Sequence, residues 1–112
     1  MALTEHDLEL FAGRMRQHFP RELRDTAYEL ALLLARIAGA KVKSLTPLTT
    51  IDTILEWTGP PILEGSDSLD TVERVMALEE ELGSVFVLPD ELAARAKDAT
   101  FREWVEHAAR KR

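Results

Sequence analysis

The 112 residues carry fourteen lysines and arginines against twenty aspartates and glutamates, a formal net charge of −6, and contain no cysteine. That length suffices for one hydrophobic core without covalent staples, and the missing thiols exclude disulfides, thiolate metal sites and a cysteine nucleophile. The acidic balance argues against nucleic acid as a partner, because nothing offsets phosphate repulsion.

Thr4 followed by Asp7 reads as a helix start, and Leu8, Phe11, Met15 and Phe19 then fall at helical spacing, predicting a first helix to about His18. Pro20 suits the first turn of a second helix, in which Leu23, Ala27, Leu30, Leu34, Ile37 and Ala38 form a wide apolar stripe ending at Gly39. This helix is expected to be largely buried. Its greasiest part, residues 30–40, is broken by Arg36 and is too short to span a bilayer. Residues 41–50 carry turn signals around Thr46-Pro47 and are expected to be irregular. A short helix from Thr50 through Ile51, Ile54, Leu55 and Trp57 is stopped by Gly59-Pro60-Pro61.

From residue 67 the pattern strengthens. Leu69, Val72, Val75, Met76 and Leu82 recur at three- and four-residue steps with acids between them, predicting a helix over 67–82 with Gly83 as its C-terminal cap. Val85-Phe86-Val87-Leu88 has the β-branched content of a strand but no partner strand, so an extended, buried linker to Pro89 is expected. A short helix over 91–96 follows, and Thr100 with Glu103 three residues on opens a last helix through Trp104, Val105 and Ala108. The expected fold is an all-α helical bundle without internal repeats, residues 1–19 forming an N-terminal helical extension and 20–112 the main helical domain. The chain start lacks the basic-then-apolar order of a secretory signal, so a soluble, cytoplasmic protein with no membrane span is expected.

Charge is unevenly placed. Between Glu64 and Glu91, nine acids stand against Arg74 alone, so this stretch exceeds the net charge of the whole chain and the remainder is slightly basic. Such a surface steers toward basic partners, although a merely solvated helix face would read the same way.

Asp67 is placed to cap the helix that follows it, and Asp70 adds negative charge where the helix dipole favours it. Ser68 then falls at the first helical position, its hydroxyl not needed for capping. The unpaired backbone N–H groups there favour a phosphodiester, while the two aspartates oppose it. No His or Lys lies nearby in sequence to act as a base, so the groups that activate this serine must come from another protein. A serine beside Asp67 is also what an ordinary helix start would have.

The run Asp67-Ser68-Leu69-Asp70-Thr71-Val72-Glu73, continued by Val75-Met76-Ala77-Leu78-Glu79-Glu80-Glu81, resembles the recognition helix of the acyl carrier protein family, bacterial fatty-acid type. Leu45-Thr46-Pro47 with Thr49-Thr50-Ile51 resembles the family's loop before that helix, Leu88-Pro89-Asp90 its Ile-Pro-Asp turn, and Thr100-Phe101 the start of its last helix. The resemblance covers roughly residues 21–108. It implies an acyl-carrier-like helical bundle with an additional N-terminal helix, and a covalent 4′-phosphopantetheine arm on Ser68 flanked by Asp67 and Leu69. It also implies that Ser68 attacks coenzyme A within a phosphopantetheinyl transferase that supplies Mg²⁺, and that the carrier catalyses nothing itself. By the same resemblance Asp70, Glu73, Arg74, Met76, Glu79 and Glu80 would face basic docking patches on acyl-processing or acyl-loading enzymes.

Three departures accompany the resemblance. The N-terminal helix is an addition to which three roles are open: packing on the bundle, dimerising, or docking a partner. Residues 53–66 are longer than the family's loop and carry Trp57 and Gly59-Pro60-Pro61 on the side from which partner enzymes approach the serine. Arg74 stands where an exposed leucine is more usual, which would change partner choice. The alternative reading is a carrier-derived, unmodified protein-interaction module that uses the same fold and acidic helix. A hydrolase built on Ser68 has little support. His6, His18 and His107 lack metal-ligand spacing. Glu79-Glu80-Glu81 diverge around a helix axis and cannot converge on one atom. Trp57 and Trp104 read as packing residues.

Overall fold

The computed structural model describes residues 3–58, 71–83 and 86–110, with the side chains in these stretches apart from residues 71–74. Helix α1 (Glu5–Arg16) starts from a capping box: the Asp7 N–H donates to Thr4 Oγ1 at 3.1 Å and the Thr4 N–H to Asp7 Oδ2 at 3.2 Å. The reciprocal pair satisfies two of the amides that a helix start leaves free. Leu8, Ala12 and Met15 are buried from this helix, one stripe at steps of four and three.

Pro20 does not open the second helix. It stands in extended backbone ahead of a 3-10 turn (Arg21–Leu23), and helix α2 runs Arg24–Ala38. The Leu23 N–H donates to the Pro20 carbonyl at 2.9 Å, and Arg24 Nε reaches back to the Phe19 carbonyl at 3.2 Å, so a tighter turn redirects the chain before α2 begins. Thr26, Ala27, Leu30, Ala31, Leu34 and Ala35 are buried in α2, and α1 packs chiefly along it. At Gly39 the backbone takes a φ of 64°, a conformation that glycine adopts at little cost, and a second 3-10 segment (Gly39–Ser44) follows. The stretch expected to be irregular is therefore partly helical.

Helices α3 (Ile51–Thr58) and α6 (Phe101–Arg110) start side by side. Thr50 and Thr100 form an isolated antiparallel bridge, and each also caps its own helix, receiving the Thr53 N–H and the Glu103 N–H respectively, both at 3.3 Å. The neighbouring amides cross over. Phe101 N–H donates to the Thr49 carbonyl at 2.8 Å and Ile51 N–H to the Ala99 carbonyl at 2.9 Å. Arg102 N–H reaches the Pro47 carbonyl at 2.9 Å and Asp52 N–H the Ala96 carbonyl at 2.8 Å. Two helix starts thus satisfy their free amides on each other's leading segments.

Helix α4 runs Thr71–Glu81; residues 67–70, the expected start of this helix, lie outside the described residues. Gly83, with φ 67° and its N–H on the Glu80 carbonyl at 3.1 Å, ends the helix as expected. In the linker, Phe86 and Leu88 are buried but Val87 is 54% exposed, so its described part alternates instead of being buried throughout. Helix α5 (Asp90–Ala94) starts on the Pro89 carbonyl and is shorter than the 91–96 helix expected, because the Arg95 N–H turns back to Leu92 at 3.1 Å in a tightened last turn. Among the described residues, all six α-helices contribute to one buried cluster, in which Trp104, Phe101, Leu30 and Leu34 are the largest enclosed side chains. Phe19, just past α1, meets Phe101 edge to face with ring centroids 5.9 Å apart. Among the described residues there is no β-strand, and the fold is all-α.

Candidate docking face on helix α4

Of the residues singled out from the resemblance, Asp67, Ser68, Leu69 and Asp70 lie outside the described residues. Glu73, Arg74, Met76, Glu79 and Glu80 all fall on α4. The helix is anchored by Val75, Leu78 and Leu82, which are buried, and it packs on α3 and α5. These three positions define the inward side, and helical spacing then sorts the rest. Met76 and Glu80, one turn apart, are on the far side from the core; Met76 is 64% exposed and Glu80 is exposed. Glu73 shares that side by position, three residues before Met76. Glu79 is half-buried at one edge of the face, and Arg74 occupies a position at the opposite edge. The α4 positions thus form one outer strip, Glu73, Met76 and Glu80, with Glu79 and Arg74 at its margins.

Among the described residues, Glu79, Glu80 and Glu81 enter no ion pair. Glu80 and Glu81 are exposed, and each adds a modest attraction that salt screens. The face can dock a basic, partly apolar surface.

The remaining candidates sit elsewhere. His107 Nε2 is 3.9 Å from Glu91 Oε2, while His6 and His18 are exposed on and beside α1. Trp104 is fully buried and Trp57 packs against the core, both as expected for packing residues.

One feature escaped the sequence reading. A groove of about 500 Å³ runs along α1, lined by Leu10, Phe11 and Met15 together with Arg14, His18 and Lys43. Asp7 also lines it. Hydrogen bonds from the Thr4 hydroxyl and then the Thr4 amide hold the Asp7 carboxyl below the ordinary aspartate value, with the charges of His6 and Lys43 acting in the same direction. The sequence signal was Leu10, which lies off the Leu8-Phe11-Met15 stripe and one turn before Arg14. Only the 3-10 segment after Gly39 brings Lys43 and Leu45 to the same place.

Comparison with protein-family models, with curated proteins and with solved structures finds no match to the chain.

Proposed function

We propose that the chain is an acyl carrier, holding acyl or aminoacyl intermediates on a 4′-phosphopantetheine arm attached to Ser68 and presenting them to partner enzymes. The observation that carries this reading is the long run over residues 67–81 that resembles the carrier recognition helix. Support comes from α4 itself, which buries Val75, Leu78 and Leu82 and turns Met76 and Glu80 outward. An acidic strip around one exposed methionine suits transient contact with several basic surfaces, since methionine adapts its shape and the charges steer without binding tightly.

The arm would supply a thiol that holds acyl groups as thioesters. Ser68 would provide the attachment oxygen, Asp67 the cap that leaves the Ser68 hydroxyl free, and Glu73, Met76, Glu79 and Glu80 the contact for a phosphopantetheinyl transferase and acyl-processing enzymes. Arg74, at the edge of the strip, would favour partners that place an acid there. Loading of the purified chain by a broad-specificity transferase, blocked by Ser68→Ala, tests the proposal.

A second reading, an unmodified interaction module, is favoured by α1, whose buried residues belong to the common core and which brings a groove of its own. On that reading Ser68→Ala would leave cellular function intact, whereas charge reversal at Glu73 and Glu79 would abolish it.

A further inference from the structure

The groove along α1 is lined by apolar side chains together with two cations, Arg14 and Lys43. Leu10 is 46% exposed there, and Phe11 is partly buried. Arg14, His18 and Lys43 stand around them, and among the described residues none of the three enters an ion pair. Among the described residues Asp7 is the one acid in the lining, and its carboxylate already accepts the Thr4 amide in the capping box. Arg14 and Lys43 place two cations, outside any ion pair among the described residues, on an apolar surface in a chain of net charge −6, and Lys43 also acts on the Asp7 charge. Such a surface calls for an occupant that is apolar at its centre and acidic at its edges.

The outer face of α4 has that chemistry. Met76 is its exposed apolar centre, Glu80 lies one turn on, and Glu79 and Glu81 flank it, none of them ion-paired among the described residues. Within one chain these surfaces serve different neighbours, since α1 packs chiefly on α2 while α4 packs on α3 and α5.

We infer that the α1 groove receives the acidic outer face of α4 from a second copy of this chain. The two surfaces differ, so association is head to tail unless both contacts form at once about a two-fold axis, which closes the assembly at two chains. A single groove of this size makes a small interface, and the association is weak and reversible. The inference stands whether or not Ser68 bears an arm. It has one regulatory consequence: the α4 face proposed for partner enzymes is covered in the associated form, so self-association and docking exclude each other.

Sedimentation velocity of the full chain over a range of concentrations tests this. Wild type is expected to associate as concentration rises. Arg14→Glu with Lys43→Glu in the groove, and separately Glu79→Lys with Glu80→Lys on α4, should each weaken association about tenfold or more. Mixed in equal amounts, the two double variants should recover a heterodimer, because each retains the surface that the other has lost. Leu10→Ser and Met76→Ser, both at exposed positions, should weaken association without altering charge, and circular dichroism verifies that every variant keeps its helices. A wild type that stays monomeric at the highest soluble concentration would overturn the inference. So would double variants that associate like wild type, or a mixture that recovers nothing.

Discussion

The indole N–H of Trp104 donates to the main-chain carbonyl of Val87 at 3.3 Å, fastening the linker after α4 to the last helix. Trp104 is fully buried, so this bond ties the Val87 backbone to the centre of the core through one side chain. Replacing Trp104 by Phe removes the donor and part of the ring, and should lower stability by roughly 1–2 kcal/mol. Trp104→Ala should cost about 3–5 kcal/mol through the cavity that it leaves. Urea denaturation followed by far-ultraviolet circular dichroism measures both.

The paired starts of α3 and α6 make a second prediction. Thr50→Ala and Thr100→Ala each remove one side-chain cap, and each should cost about 1 kcal/mol. The two threonines also face each other in an antiparallel bridge, so their effects should not simply add. Thermal unfolding of the two single variants and the double variant reads the coupling directly.

Asp7 predicts a dependence on acid. Its folded carboxyl titrates below the ordinary aspartate value because the Thr4 hydroxyl and amide hold the charged form. The unfolded chain therefore binds a proton at Asp7 before the folded chain does. The stabilisation is fully present above the unfolded pKa and is lost as pH falls through the lower folded pKa. Stability titrated from neutral into acid should fall less in Asp7→Asn than in wild type over that window. Equal slopes for the two proteins would refute the assignment.

The helix starts were legible because they follow local rules. Thr4 with Asp7 and Thr100 with Glu103 cap helices in the structure as their spacing indicates, while Thr50, expected as the first residue of its helix, is the cap before it. The core faces of α2, α4 and α6 were legible from apolar periodicity, with Leu30, Leu34, Val75, Leu82, Trp104 and Val105 all buried. The turn at Arg21–Leu23 was not, because Pro20 fits an extended N-cap as well as a first helical turn, and a bond from Arg24 to Phe19 decides between them. The Thr50 and Thr100 bridge and the Trp104 bond to Val87 join residues far apart in sequence, so no local pattern announces them. The α1 groove was missed for a similar reason, since Lys43 reaches Arg14 and His18 only through the fold. On α4, Met76 belonged to the apolar spacing that marked the helix, yet it is 64% exposed, and Leu78 takes the core position beside Val75 and Leu82.

The proposed carrier role requires that Ser68 accept the arm. Incubating the purified chain with coenzyme A, Mg²⁺ and a broad-specificity phosphopantetheinyl transferase, then measuring intact mass, tests it most directly. Wild type is expected to gain one phosphopantetheinyl group and Ser68→Ala to gain none. An unchanged wild-type mass, under conditions that load a control carrier completely, would contradict it.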